Sequence, residues 1–202
     1  MIAIIDYGLG NLYSIWNMLK HLDIESVITS DRETIIRADR LILPGVGKFD
    51  EGMKNLEESG LDSIIKEQSI EGKPILGICL GMHLLGKASE EGDSRGLGLI
   101  DFRTVRFDFQ SDKHLKIPHM GWERVVLKDS PLTKGLCDGE RYYFVHSYHA
   151  VCKDEDTVIA KCNYGYEFVA GVRNGNTYGL QFHPEKSHRY GMRILKNFSE
   201  IY

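Results

Sequence analysis

Residues 73–81, which read Lys-Pro-Ile-Leu-Gly-Ile-Cys-Leu-Gly, decide the fold of this chain. Residues 74–78 are short and almost wholly apolar, as expected of a parallel strand that is covered on both faces. From Met82 onward the sequence can continue as a helix. The stretch therefore predicts a buried strand, a tight turn and a helix, with Cys79 on the turn.

Two glycines, Gly77 and Gly81, flank this cysteine. They free the backbone for a sharp turn, so the side chain at its tip projects from the carboxyl end of the strand. A cysteine at a helix amino terminus lies at the positive end of the helix dipole, which stabilises a thiolate. Cys79 is therefore a candidate nucleophile, and the alternative from these residues alone is a small cysteine that fills space in the core.

Length and composition limit the class of protein. The 202 residues are enough for one substantial core, and we predict a single domain over residues 1–202. The formal net charge is −4 with no basic block, which argues against nucleic-acid binding. The apolar run at residues 2–5 is too short for a membrane span or a signal peptide, so we expect a cytoplasmic protein. Four cysteines without Cys-x-x-Cys spacing predict neither a metal site nor a disulfide framework, and no cofactor is expected.

The first half of the chain alternates predicted strands with predicted helices. Apolar runs and helical periodicity predict strands at 2–5, 25–29, 40–43 and 74–78 and helices at 12–22, 51–56 and 61–68. Such crossovers produce a parallel sheet with helices on both faces, and ligands bind beyond the carboxyl ends of its strands. The second half contains short alternating segments instead, at 123–127, 142–145, 158–162 and 168–172. The fold class is therefore α/β, mostly parallel, with additional antiparallel strands in the C-terminal half.

A predicted hairpin near the end of the chain leads to a second group of reactive residues. Strands at 169–173 and 177–182 flank Asn174-Gly175, a pair that favours a tight turn. His183 and Glu185 follow the second strand, and on an extended backbone both side chains face the same side. A cysteine, a histidine and a carboxylate form the set used for acyl transfer, and the alternative is an exposed His-Pro-Glu segment without a catalytic role.

Two further glycine loops follow predicted strands. Residues 6–11, Asp-Tyr-Gly-Leu-Gly-Asn, lack the third glycine of a dinucleotide-binding motif because Tyr13 stands there, so we exclude that function. Residues 44–47, Pro-Gly-Val-Gly, follow the third predicted strand. Their backbone N–H groups are candidates for stabilising an oxyanion, although an ordinary turn has the same composition.

Several spaced motifs resemble those of class I, triad-type glutamine amidotransferases. They are Leu-Pro-Gly-Val-Gly at 43–47, Gly-Ile-Cys-Leu-Gly at 77–81 and Gly-Leu-Gln-Phe-His-Pro-Glu-Lys-Ser at 179–187. Further segments resemble the glutaminase subunits of imidazole glycerol phosphate synthases, namely 6–11, Ser-Glu-Glu-Gly at 89–92, Pro-His-Met-Gly-Trp at 118–122 and Tyr-Phe-Val-His-Ser-Tyr at 143–148. The resemblance runs essentially end to end, and several motifs in one order are more specific than any one of them. It implies the flavodoxin-like fold of the class I amidotransferases.

The resemblance also implies roles for individual residues. Cys79 is the implied nucleophile, His183 the general base and acid, and Glu185 the carboxylate that orients His183. The implied oxyanion donors are the N–H groups of Val46 and Leu80. The implied glutamine-binding residues are Gly47, His83, Glu91, Ser147 and Tyr148.

The family resemblance further implies a partner. Ammonia passes to a (β/α)8-barrel cyclase, bound as a heterodimer, which makes imidazole glycerol phosphate and AICAR in histidine biosynthesis. The residues that match positions near that interface are Asn11, Trp122, Tyr143 and Lys186. The alternative partner is an enzyme that amidates a nucleotide-linked sugar for surface polysaccharide, which paralogous glutaminases supply. In either case we expect weak activity without the partner, because an oxyanion loop that reorients only on association prevents wasteful hydrolysis.

His83 is a departure from the family, which usually has glutamine at this position. A histidine differs in geometry and in its capacity for charge, so we expect altered substrate affinity or pH dependence. Two other classes of protein stay open from the sequence alone. One is a binding or regulatory module that has lost turnover, and the other is a cysteine hydrolase that acts on peptides or other amides.

Overall fold

One mixed sheet organises the chain in this computed structural model, which describes residues 1–109 and 114–202. Within those residues the strands are Ile2–Ile5 (β1), Ser26–Thr29 (β2), Arg40–Leu43 (β3), Ile75–Ile78 (β4), Ala88–Ser89 (β5), Phe102–Arg106 (β6), His119–Leu127 (β7), Glu140–His146 (β8), Tyr148–Cys152 (β9), Val158–Tyr164 (β10), Tyr166–Asn174 (β11) and Thr177–Leu180 (β12). The helices are Leu12–His21 (α1), Arg32–Arg37 (α2), Phe49–Glu58 (α3), Leu61–Ile70 (α4), Leu80–Leu85 (α5) and His188–Ser199 (α6). Short 3-10 turns form at Glu155–Thr157 and Pro184–Lys186.

The parallel part of the sheet is the part predicted from apolar runs. Its strands follow the order β2-β1-β3-β4, and each neighbouring pair is parallel. Side chains alternate between the two faces of a strand, so Ile2 and Ile4 belong to one apolar core and Ala3 and Ile5 to another. Helices α1 and α6 bury their apolar side chains in the first core, and α2 to α5 bury theirs in the second. The predicted α/β class is confirmed.

Strand β12 lies inside the sheet, between β4 and β11. It is antiparallel to β11, as the predicted hairpin requires, and parallel to β4, with Leu180 opposite Ile78. The sequence did not predict the parallel pairing, because turn residues indicate which neighbouring segments pair but carry no signal for a strand far away in the chain. The carboxyl ends of β4 and β12 are consequently side by side.

The antiparallel part continues from β12 through β11, β10, β7 and β8. A branch is formed by β5, β6 and β9, in which β9 pairs with both β6 and β11. The predicted hairpin turn is wrong by one residue, because Asn174 pairs with Thr177 and the turn consists of Gly175 and Asn176. Gly175 has a φ of +57°, a conformation that glycine adopts without a steric cost. Among the described residues, no helix is long and apolar enough to cross a bilayer.

Candidate active site

Cys79 occupies the turn between β4 and α5, with φ +55° and ψ −110°. Residues other than glycine rarely adopt a positive φ, so the surrounding structure must stabilise this conformation. Gly81 permits the close approach that the turn requires, since a Cβ there would lie 1.8 Å from the carbonyl oxygen of Leu43. The strand, tight turn and helix predicted around Cys79 are therefore present.

The sulfur of Cys79 lies between an acceptor and a donor. Its thiol donates to the carbonyl oxygen of Val145 at 3.8 Å, and the side-chain amide of Gln181 donates to the sulfur at 4.0 Å. The residue is 7% exposed and borders a cavity of about 260 Å³. All seven residues expected to bind the oxyanion or glutamine line this cavity: Val46, Gly47, Leu80, His83, Glu91, Ser147 and Tyr148.

The histidine and carboxylate of the predicted triad form a buried pair. His183 Nδ1 lies 2.7 Å from Glu185 Oε1, and neither side chain is more than 2% exposed. The predicted extended backbone through Glu185 is wrong, because Pro184–Lys186 form a 3-10 turn. Proline lacks an N–H for strand pairing, and its fixed φ suits the first position of a helical turn. The turn carries the carboxylate to the imidazole, as the extended arrangement was expected to do.

The charge state of His183 is set by its neighbours. Burial opposes a charge on the ring, but the interactions with Cys79 and Glu185 outweigh it and hold the pKa of His183 well above its ordinary value. Its Nε2 is buried and has no hydrogen-bond partner among the described residues. Since Nδ1 is bound to Glu185, Nε2 is the ring nitrogen available to Cys79 or to a bound reactant. We call Cys79, His183 and Glu185 the charged corner.

Ser187 and Tyr143 hold the backbone of His183. Ser187 Oγ donates to the carbonyl oxygen of His183 at 2.7 Å and accepts from the Tyr143 N–H at 3.0 Å. The His183 N–H in turn donates to the carbonyl oxygen of Tyr143 at 2.9 Å. Sequence reasoning did not give Ser187 a role, although it is the last residue of the motif that contains His183.

A hydrogen bond from Tyr7 stabilises the glycine loop at residues 44–47. The Tyr7 hydroxyl donates to the carbonyl oxygen of Pro44 at 2.7 Å, and burial, with the charge of Cys79 adding to it, raises the pKa of this hydroxyl. A Cβ at Gly45 would lie 2.6 Å from the same hydroxyl oxygen, so only glycine fits there. The first N–H groups of a helix have no intrahelical acceptor, which leaves the Leu80 N–H beside this loop for a ligand.

Glu91 and the segment at 147–148 are fixed by backbone hydrogen bonds. Glu91 Oε2 accepts from the Phe49 N–H at 3.0 Å, and burial, which this bond opposes, raises the pKa of the Glu91 carboxyl. The carbonyl oxygen of Ser147 accepts from the Phe107 N–H at 3.0 Å. The carbonyl oxygen of Tyr148 accepts from His146 Nδ1 at 2.8 Å. These bonds hold the cavity wall in one position.

His83 directs its Nε2 at a protein group, Gln181 Oε1, at 2.8 Å. Burial lowers the pKa of His83 to about 4, so the ring is neutral at pH 7. Sequence reasoning did not select Gln181 as a site residue. The only signal for it was its place in the motif, two residues before His183.

Three more buried histidines, His119, His146 and His149, surround the ring of Phe107, and we call them the histidine wall. His146 is the member of the wall that lines the cavity. His119 Nδ1 lies 3.0 Å from His146 Nε2, and His149 Nε2 lies 2.9 Å from the hydroxyl oxygen of Tyr166. The ring of His119 stacks on Tyr164 with centroids 3.9 Å apart. Burial lowers the pKa of all three, that of His119 to about 4. In the described part of the chain, no group of three or more His, Cys, Asp or Glu side chains is arranged to hold a metal ion.

Of the four residues expected near a partner, Tyr143 borders the charged corner, with its ring centroid 6.5 Å from that of His183. The rings of Trp122 and Tyr143 are 5.8 Å apart, and Lys186 Nζ is 5.5 Å from the Tyr143 ring. His188 stacks on Trp122 with ring centroids 5.0 Å apart. We call Trp122, Tyr143, Lys186 and His188 the aromatic patch. Asn11 is exposed and directly precedes α1, a helix that contacts the 3-10 turn containing Lys186.

Comparisons with known proteins agree with this geometry. The family model for class-I glutamine amidotransferases matches residues 3–201. The imidazole glycerol phosphate synthase subunit HisH 2 of Pseudomonas aeruginosa is 49% identical, with 100% of each chain covered. The HisH subunit of Sulfurimonas denitrificans is also 49% identical, over 99% of this chain and 98% of the relative.

Solved structures show the same fold. A crystal structure of a glutamine amidotransferase has a TM-score of 0.77 at 21% identity, covering 99% of this chain and 98% of the other. The structure of PurLQS from Thermotoga maritima has a TM-score of 0.75 at 20% identity, covering 98% of this chain and 96% of the other. Together with the matches over the full length in sequence, these findings show that the chain belongs to the class-I glutamine amidotransferases and, among them, to the HisH subunits of imidazole glycerol phosphate synthase.

Proposed function

We propose that this glutaminase subunit hydrolyses glutamine to glutamate and ammonia at the charged corner, and that the ammonia passes to a cyclase subunit. The observation that carries the proposal is the placement of Cys79 on a tight turn at a cavity, where it interacts with His183, whose Nδ1 lies 2.7 Å from Glu185 Oε1. The cyclase would use the ammonia to make imidazole glycerol phosphate and AICAR. The HisH relatives support this histidine-pathway partner.

Acylation is the first half of the proposed reaction. The Cys79 thiolate attacks the side-chain amide carbon of glutamine and forms a carbon–sulfur bond, while the carbonyl electron pair moves to oxygen. The N–H groups of Leu80 and Val46 stabilise the resulting oxyanion. The His183 imidazolium donates its Nε2 proton to the amide nitrogen, the carbon–nitrogen bond breaks, and ammonia leaves a glutamyl thioester.

Deacylation returns the enzyme to its starting state. Neutral His183 removes a proton from a water molecule, and the oxygen attacks the thioester carbon. The carbon–sulfur bond breaks, glutamate leaves, and the thiolate and imidazolium are both restored. Glu185 holds the ring throughout and stabilises the charge on it, as the carboxylate does in other triads.

The cavity supplies groups for both ends of the amino acid. Glu91 offers a carboxylate to the substrate ammonium, and the backbone of Ser147 and Tyr148 offers donors to the substrate carboxylate. Gly47 and His83 border the side chain between them. These groups would recognise a free ammonium and a free carboxylate, which supports glutamine over a peptide substrate.

The aromatic patch and Asn11 form the proposed contact surface for a (β/α)8-barrel cyclase in a cytoplasmic heterodimer. Tyr143 links this surface to the chemistry, because its ring belongs to the patch while its backbone binds His183 and Ser187. A partner seated there would be close to the point where ammonia is released. We treat residues 1–202 as a single glutaminase domain in this assembly.

The proposal is tested by glutamate release from glutamine. The purified chain is mixed with the cyclase barrel of the same organism and its ribonucleotide ligand, and a Cys79→Ala variant serves as control. We expect weak release alone and Cys79-dependent stimulation by the cyclase. Release equal to that of Cys79→Ala under all conditions would contradict the glutaminase activity. Stimulation by a sugar-amidating enzyme instead of the cyclase would contradict only the partner.

A further inference from the structure

Gln181 directs a side-chain amide at the Cys79 sulfur from the neighbouring strand end. The glutamine is fully buried, its Nε2 lies 4.0 Å from Sγ, and its backbone N–H is bound to the carbonyl oxygen of Ala170 at 2.9 Å. It directly follows β12, just as Cys79 directly follows β4, and these two strands pair in parallel. The backbone of Gln181 is thus anchored independently of its side chain.

The orientation of the Gln181 amide is fixed from its other end. An amide oxygen only accepts hydrogen bonds and an amide nitrogen only donates them. Since Oε1 lies 2.8 Å from His83 Nε2, the hydrogen of the neutral His83 ring belongs on Nε2 in this pair. With the oxygen held there, the nitrogen has to face Cys79.

The direction of this amide matters once the thiol has lost its proton. The Val145 carbonyl oxygen accepts from the thiol and has nothing to offer a thiolate. An amide N–H stabilises the negative sulfur, because hydrogen bonds to a charged group are stronger than those to a neutral one. The reverse orientation would place an amide oxygen, with its partial negative charge, against the thiolate.

We propose that Gln181 stabilises the Cys79 thiolate through its side-chain N–H, and that His83 is a positioning residue that fixes the direction of the Gln181 amide. His83 then acts on the sulfur through a protein neighbour instead of only bordering the substrate. The family's usual glutamine at position 83 carries an N–H that can serve the same purpose. The inference takes from the proposed function only that Cys79 is the reactive group.

The proposal is tested by the rate at which iodoacetamide alkylates Cys79, followed by mass spectrometry of the peptide that contains it. This readout needs no glutamine, so it is independent of the glutaminase assay. For Gln181→Met we expect alkylation about tenfold slower at pH 7, the effect of losing one hydrogen bond to a charged group. At pH values high enough to ionise the thiol fully, the rate should equal that of the parent.

Two His83 variants test the positioning role. His83→Phe keeps a ring but has no N–H, so the amide is free to turn, and we expect alkylation at pH 7 to slow by about three- to tenfold. His83→Gln restores a donor and should bring the rate back to within about threefold of the parent. A merely structural role for His83 would lower the rates at all pH values and would not distinguish these variants.

A matched control is Gln68→Met, which replaces another buried glutamine on α4, where Nε2 donates to Glu71. It should leave Cys79 alkylation unchanged. The other charged or titratable groups that act on Cys79, namely Tyr7 and His183, are intact in all these variants. Unchanged or faster alkylation of Gln181→Met at pH 7 would overturn the proposal, because it would mean that the amide does not donate to the thiolate. If the alkylation results hold but no variant or parent releases glutamate, only the proposed function fails.

Discussion

The charged corner and the histidine wall contain equally buried imidazoles that differ in charge: the ring in the corner is protonated and those in the wall are neutral. His183 is 2% exposed and His119 is 1% exposed. The pKa of His183 lies above its ordinary value even though burial opposes the charge, whereas burial lowers the pKa of His119 to about 4. The neighbours account for the difference, since His183 faces a thiol and a carboxylate, while His119 faces the neutral ring of His146.

This contrast separates the effect of burial on the pKa of a histidine from the effect of its hydrogen-bonding and charged neighbours. Burial alone yields a neutral imidazole, which can hold a backbone segment in place without attracting ions or protons. The interactions with Cys79 and with a carboxylate at 2.7 Å raise the pKa of an equally buried ring, so that it keeps its proton at neutral pH. The site therefore combines a histidine wall that stays neutral with a corner that holds a protonated histidine.

Removing the nucleophile tests whether the corner is the reactive side. For Cys79→Ala we expect glutaminase activity in the stimulated complex to fall by at least about 10⁴-fold, because the covalent route is lost. The measurement is glutamate release, and Cys137→Ala is the control because that cysteine is exposed. A fall of tenfold or less, by the scale of such triads, would move the chemistry away from the corner.

Removing the charge of the carboxylate should make the corner resemble the wall. In Glu185→Gln the ring keeps a partner of similar shape but loses its counter-charge, so the pKa of His183 should decrease. We expect kcat/KM to fall by about 10²–10⁴-fold, the range for general acid–base catalysis. NMR titration of His183 reports its pKa directly, and Glu200→Gln, at an exposed position, is the control. An unchanged pKa of His183 would contradict the claim that the charge of Glu185 distinguishes the corner from the wall.

Acid should destabilise the protein through the wall. Below pH 6.5 an unfolded histidine binds a proton, whereas folded His119 does not until about pH 4, so acidification in this window favours unfolding. We expect His119 to account for about 1–2 kcal/mol of the unfolding free energy lost between pH 7 and pH 5. The contribution of His183 to the pH dependence of stability has the opposite sign. Its raised pKa stabilises the folded state fully below pH 6.5, and this stabilisation is lost as the pH rises through the pKa of the folded state.

The measurement is urea unfolding of the parent and of His119→Phe at both pH values. The phenylalanine retains the ring packing but has no titrating group, so the difference between the two pH values should shrink. His21→Gln serves as the matched control because His21 is exposed on α1. An equal pH difference in the parent and in His119→Phe would show that His119 does not contribute to the acid sensitivity.

The smallest effect is expected outside both groups, at the aromatic patch. Lys186→Met removes the ammonium 5.5 Å from the Tyr143 ring and retains most of the aliphatic chain. We expect the Kd for the cyclase to rise about two- to fivefold, the size of an exposed cation–π contact. Calorimetric titration gives the Kd, and Lys20→Met, at a similar contact with Trp16, is the control. An equal change in both variants would place the partner elsewhere.

The sequence predicted the corner better than it predicted the wall, for physical reasons. The local sequence at residues 74–81 is sufficient to predict their structure, because a short apolar run followed by Gly-x-Cys-x-Gly fits few conformations. His119 and His146 come from different strands, β7 and β8, and nothing near either residue in the chain signals the other. Pairings of that kind are properties of the assembled sheet.

Two features of the site were not predicted, because both depend on where β12 lies in the assembled sheet. The helical turn at Pro184–Lys186 replaced the expected extended backbone, because Pro184 lies beyond the end of β12 and has no strand to pair with. Gln181 stood out in the sequence only as part of a motif, because its contacts with Cys79 and His83 exist only once β12 is beside β4.

Helix α6 was not predicted either. It has apolar residues at helical spacing, but its amino terminus has no side-chain cap to mark where it begins.

The placement of β12 between β4 and β11 also bears on how the protein is made. Ribosomes deliver the chain from its amino terminus, and domains form as their segments emerge. Strand β4, which directly precedes Cys79, is synthesised early, whereas β12, an interior strand of the sheet, comes after every other strand of the described residues. Until nearly all of the chain has been translated, the sheet thus lacks an interior strand and His183, the proposed base, is not yet present. A translation product that stops before Thr177 would lack β12 and His183, so under the proposed mechanism it would not hydrolyse glutamine.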